Sequence, residues 1–129
     1  MTINPDKTML AIWMAGFLDG RGGFFIHESR GKYKEFVIKI ASKNSITLNL
    51  LDRILVYFNI KHCRHKQFIA ISNREDIKQL VGIILPFIQI KEYEIIEFRE
   101  KLFEYELSFV NSPQVLQNSQ KRLLRTGFE

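Results

Sequence analysis

Cysteine is almost missing from this chain: Cys63 is the only one in 129 residues. An internal disulfide and a cysteine-cluster metal site are therefore excluded, and a reducing compartment is the simplest reading. Long apolar runs are missing as well. No stretch of 18 apolar residues occurs, which rules out a membrane-spanning helix. The opening "MTINPDKTML" lacks the charged-then-apolar layout of a secretory signal, and its lone acid and lone lysine make a poor transit peptide. No internal duplication is visible. What is left is one compact domain, for which 129 residues at 46% hydrophobic supply a real core.

Charge is present and unevenly spread. Residues 1–90 hold 13 Lys/Arg against 7 Asp/Glu, residues 91–107 hold 3 against 6, and the last 22 residues hold 3 against 1. The pattern fits a basic face opposed by an acidic, solvent-facing helix, a common build for a nucleic-acid binder. A mildly basic protein with one well-solvated helix fits it too. Ile, Lys, Phe and Asn are plentiful; their codons are AT-rich, which points to a mitochondrial or chloroplast gene or an AT-rich microbe.

Local signals set the order of elements. Asn4 and Pro5 predict a helix start, and Met9, Ile12, Trp13, Gly16 and Phe17 recur at helical spacing as its expected buried face. Gly20, Gly22 and Gly23 are expected to end that helix in a sharp turn. Residues 24–29 and 34–41 read as a hairpin, with Phe36, Ile38 and Ile40 on one face and Glu35, Val37, Lys39 and Ala41 on the other. Asn44 or Ser45 caps a helix to about Phe58, with Leu48, Leu51, Leu55 and Phe58 as its stripe. "NIKHCRHKQFIAIS" reads as a shorter, basic hairpin. Asn73 caps another helix that stops near Pro86, and residues 91–107 form a long amphipathic helix. The expectation is an α+β fold in the order αββαββα, a four-stranded antiparallel sheet with helices on one face. Residues 1–107 form the domain and 108–129 a polar, basic tail.

The segment "MAGFLDGRG", residues 14–22, resembles the nine-residue signature of the LAGLIDADG homing endonucleases. The small pair, apolar pair, acid, small residue and final glycine are all reproduced. The resemblance extends through the element order to "LPFIQIK", residues 85–91, and so covers roughly residues 8–105. It implies that the helix carrying Trp13, Ala15 and Gly16 packs against a second such helix. With one motif copy, that partner is a second copy of this chain or a related subunit. Ala15 and Gly16 carry almost no side chain, which suits close helix approach; close packing inside one protomer would use them equally well.

The resemblance also implies a departure. The family's eighth motif position is the acid that holds a divalent metal at the scissile phosphate, and here it is Arg21. Guanidinium offers no oxygen ligand to magnesium, so Mg²⁺-assisted cleavage is expected to fail. Asp19, two residues earlier, is rotated by about 200° on a helix, and the family uses that position structurally. Glu28 and Glu35 match no family metal position. Lys91 matches the family's lysine near the cleavage centre, and Lys39 lies near a polar position beside the metal. Both suit phosphate contact without catalysis. Arg21 itself can donate paired hydrogen bonds to phosphate oxygens, or it can be a tolerated remnant.

The expected nucleic-acid footprint joins Arg21, Lys39 and Lys91 to Phe25 and His27 on the first strand. Arg30, Lys32 and Lys34 at the first hairpin, Lys61, His62, Arg64 and Lys66 in the second, and Lys121, Arg122 and Arg125 in the tail complete it. Phe25 and His27, with Ser29, alternate toward the open face, while Phe24 and Ile26 point to the helices. No carboxylate or second cysteine completes a metal set around "KHCRHK". The short strands favour shape and phosphate recognition, and hence structured RNA over DNA, such as an organellar ribosomal or intron RNA beside ribosomal proteins. The alternatives are a homing endonuclease, active or half-active with an acid-bearing partner and then needing Mg²⁺, and a DNA-binding repressor.

Overall fold

A computed structural model describes residues 6–28 and 33–110. The expected Asn4–Pro5 helix start therefore lies outside the described residues, as do Ser29, Arg30, Lys32, Lys121, Arg122 and Arg125.

Helix α1 (Lys7–Arg21) starts at Asp6, whose carboxylate accepts from the Thr8 N–H at 3.0 Å. It passes without a loop into strand β1 (Gly22–Glu28), which pairs antiparallel with β2 (Lys34–Ala41) from Gly22↔Ile40 to Glu28↔Lys34. Helix α2 (Ser45–Tyr57) follows, capped by the Asn44 side chain on the Ile46 N–H. It closes with Asn59 in the left-handed region, φ 59°. There the Asn59 N–H donates to Val56 O and the Ile60 N–H to Leu55 O, so the last carbonyls are satisfied. Strands β3 (Cys63–Arg64) and β4 (Phe68–Ile71) form the second hairpin, and β4 pairs with β2. Helix α3 (Arg74–Ile84), capped by Asn73, leads through a 3₁₀ turn (Leu85–Phe87) into α4 (Glu92–Val110). The sheet order is β1-β2-β4-β3.

The chain divides into two compact units, residues 1–99 and 100–129. In the first, alternation along the strands decides the two faces of the sheet. Phe36, Ile38, Ile40, Ile69 and Ile71 are buried beneath the helices, together with Leu48, Leu51, Leu55, Ile77 and Leu80. Phe24 joins this side, its ring 5.5 Å from that of Phe98 in α4, which also meets Phe36. Gly23, Phe25, His27, Glu35, Val37, Lys39, Ala41, Phe68, Ala70 and Cys63 share the other face by register. All of these but Val37 are exposed or half-buried.

Two expectations about α1 change. Its buried residues are Ala11, Met14, Ala15 and Leu18, while Met9, Ile12 and Trp13 are exposed at 63%, 49% and 46%. The periodicity read from the sequence is present, yet its stripe points to solvent, because a second stripe of smaller and more flexible residues fits against the protomer's own helices. Gly22 and Gly23 also do not form a turn. Gly22 has φ −81° and ψ 145°, an ordinary strand conformation. The absence of a side chain there serves close approach: a Cβ on Gly22 would lie 2.7 Å from Leu18 O and 2.9 Å from its Cα.

Candidate nucleic-acid interface

The junction of α1 and β1 collects the charged groups of interest. Asp19 is the last acid of α1, and its carboxylate is fully engaged. Oδ2 accepts from the Gln89 N–H at 2.9 Å, and Oδ1 accepts from the N–H groups of Ile90 and Lys91, each at 3.0 Å. Three successive backbone donors thus form a cradle for this anion at the entry to α4. Burial alone would raise the Asp19 pKa; the three N–H donors and the Lys91 ammonium outweigh it and hold the carboxyl below its ordinary value. Asp19 is a tether between α1 and the start of α4.

Arg21, the last residue of α1, is exposed and makes no hydrogen bond or ion pair with any described residue. Lys91 is half-buried and donates from Nζ to the Gly22 carbonyl, the next residue along. Lys39 lies across the sheet from Gly23. Its Nζ sits 5.4 Å from the centre of the Phe25 ring and 5.1 Å from that of Phe68. Arg21, Lys91 and Lys39 thus gather at the segment Arg21–Gly23, while Asp19 has both oxygens on backbone N–H groups.

Magnesium does not fit these residues. It needs hard oxygen ligands, whereas this junction offers an exposed guanidinium and an ammonium already hydrogen-bonded to Gly22. Glu28 and Glu35 give no rescue. Glu28 is six residues along β1 from Gly22, about 20 Å away, and lies 4.0 Å from Lys34 Nζ. Glu35 pairs with His27 at the same distant end. Among the described residues no group of three or more His, Cys, Asp or Glu is placed to hold a metal ion.

The other candidates divide. Phe25 (41% exposed) and His27 stand on the open face, their rings parallel within 4° and 6.2 Å apart. Lys61 and Lys66 are exposed. His62 is not brought to this surface: Nδ1 lies 2.8 Å from Ile60 O, Nε2 contacts Asp52 Oδ1, and the side chain is 9% exposed. Arg64 faces the helix side by register and donates to Asn49 Oδ1 of α2. Lys34 is likewise on that side, at the far strand end. Basic residues two apart on a strand share a face, so the "KHCRHK" cluster is split by alternation and by the polar pull of α2. Ala15, expected at a helix interface, is buried within its own protomer, whereas Gly16 is exposed with nothing within 4 Å of a Cβ there.

Sequence reasoning gave no role to Phe68 or His65. Their rings stack 4.2 Å apart, and Phe68 lies on the open face beside Lys39. The alternation Phe68–Ile69–Ala70–Ile71 carried that signal. The partners of Asp19 left no such local trace, because its three donors lie some 70 positions along the chain.

No family model and no curated relative matches the sequence. Solved structures do match. A homing endonuclease, I-TnaI, superposes with a TM-score of 0.65 at 18% identity, covering 98% of this chain and 96% of that one. The archaeal intron-encoded homing endonuclease I-Vdi141I, complexed with DNA, gives 0.67 at 15% identity over 88% of this chain and 79% of that one. The LAGLIDADG meganuclease I-AabMI, bound to uncleaved DNA, gives 0.62 at 18% over 82% of this chain and 40% of that one. The chain has the fold of the LAGLIDADG homing endonucleases, with Arg21 at the junction of its first helix and first strand.

Proposed function

We propose that this protein binds nucleic acid without hydrolysing it, holding a phosphate backbone against the Arg21–Gly23 junction and the open face of the sheet. One observation carries the reading. Where cleavage would need a free carboxylate, Asp19 has both oxygens bound by backbone N–H groups, and Arg21 stands exposed beside Lys91 and Lys39. A guanidinium there can donate two parallel hydrogen bonds to one phosphate. The DNA complexes of I-Vdi141I and I-AabMI support nucleic acid as the class of ligand.

Structured RNA is the favoured target, of the kind found in an organellar intron or ribosome. Strands of two and four residues in the second hairpin span too little to read base edges along an extended duplex. The exposed stripe Met9–Ile12–Trp13–Gly16, with half-buried Phe17 against Trp13, supports pairing with a second copy or a related subunit through α1.

The test is to purify the full chain, identify co-purifying nucleic acid, and measure binding of structured RNA and duplex DNA across a salt series. Arg21→Ala is expected to weaken binding about tenfold, a typical loss for a charged hydrogen bond, and to reduce the salt slope by about 1. Its folding stability should fall by no more than the ~0.3–1 kcal/mol that a cation contributes to a helix C-terminus. Magnesium-dependent cutting or nicking of DNA by the unmodified chain would overturn the reading.

A further inference from the structure

The open face of the sheet carries a continuous row of rings around one ammonium. Lys39 is flanked across the strands by Gly23 and Ala70, which leave space at its sides. Into that space lean Phe25 and Phe68, each ring within 5.4 Å of Nζ. The Phe25 ring lies over Gly23 itself, since a Cβ there would fall 2.6 Å from the ring edge. His27 stands parallel to Phe25 beyond it, and His65 stacks on Phe68 at the other end. Phe25 is exposed and Phe68 half-buried, and most of the core lies on the opposite face, Val37 beside Phe25 being the buried residue on this one.

This is an unusual surface for a duplex. Paired bases present only their edges in a groove, and edges are read by hydrogen-bonding side chains. Exposed rings interleaved with a cation instead suit bases whose faces are free, with stacking on the rings and phosphate contact at the ammonium.

We propose that the row His27–Phe25–Lys39–Phe68–His65 is a stacking site for unpaired nucleobases, with Lys39 taking the phosphate between stacked bases. Arg21 and Lys91 continue the phosphate track at the end of the row where Phe25 covers Gly23. This rests on the nucleic-acid-binding reading and narrows its ligand to RNA with an unpaired loop or bulge.

The test compares two RNAs of equal length with the full chain: a hairpin with an unpaired loop carrying 2-aminopurine, and a fully paired duplex. The hairpin is expected to bind more tightly, with 2-aminopurine quenched on binding. Phe25→Leu keeps the apolar bulk of an exposed position and should cost about tenfold for the hairpin, with no change for the duplex and with the quench lost. Gly23→Ala should act in the same direction, because it pushes the ring aside without removing it. Equal binding of both RNAs, or variants that weaken both equally or neither, would overturn the stacking site and leave the phosphate-holding reading standing. No binding of either RNA, or of duplex DNA, would overturn both.

Discussion

Replacing Asp19 by Asn tests whether this acid is a tether or a ligand. The native carboxylate accepts three backbone N–H bonds at 2.9–3.0 Å. Asparagine keeps one oxygen and so retains at most two of them. Its amide nitrogen then faces a backbone donor, usually that of Gln89. Losing one charge-assisted bond costs about 1.5–3 kcal/mol, and the remaining bonds weaken when the charge is lost. Water reaches this half-buried site and replaces part of the loss, so about 2 kcal/mol is expected for Asp19→Asn and about 3 kcal/mol for Asp19→Ala. For a chain of this length 2 kcal/mol corresponds to a fall in Tm of about 7 °C. Urea unfolding followed by far-UV circular dichroism measures it.

The sign of the pH dependence follows from the lowered pKa of Asp19. A carboxyl whose folded-state pKa is depressed contributes stability above its unfolded value of about 3.9. That contribution is lost as pH falls through the lower, folded value. The gap between the native chain and Asp19→Asn should therefore be full near neutrality and shrink as the solution is acidified below about pH 4. A variant within about 0.5 kcal/mol of native, or a gap unchanged by acid, would refute the tether. So would a magnesium-induced rise in Tm that Asp19→Asn abolishes, since that would make Asp19 a metal ligand.

Three further outcomes are expected. Gly22→Ala should destabilise by about 1–3 kcal/mol in chemical denaturation, because its Cβ meets helix backbone that cannot step aside. Trp13→Glu should convert a dimer to a monomer in analytical ultracentrifugation at a stability cost of less than about 1 kcal/mol. By contrast, Met14→Ala on the buried side should cost about 2–5 kcal/mol. His62→Ala should destabilise by about 1–3 kcal/mol, couple to Asp52→Ala in a double-mutant cycle, and leave RNA affinity within about twofold. A large affinity loss without a stability loss would return His62 to the binding surface.

Much of the fold was legible locally. The Asn44 and Asn73 caps, the alternation in β2 and the length of the second hairpin follow from interactions a few residues apart, which a sequence displays directly. That position 21 carries a guanidinium is visible in the same way, because chemical identity does not depend on the fold. The helix spacing in α1 was visible too, yet two stripes of that helix are apolar. Spacing cannot say which one meets the protomer's own core and which is left for a partner.

The sequence by itself determined the order of elements, the two faces of the sheet and the presence of a guanidinium, not a carboxylate, at position 21. These depend on backbone propensity, on the two-residue period of a strand and on chemical identity. The tertiary structure decided what each charge does. Asp19 is spent because residues 89–91 arrive beside it from some 70 positions away. His62 and Arg64 turn to α2, and Lys39 settles between rings from two other strands. A charged side chain's role is set by the partners that reach it, and those partners come together only when the chain is folded.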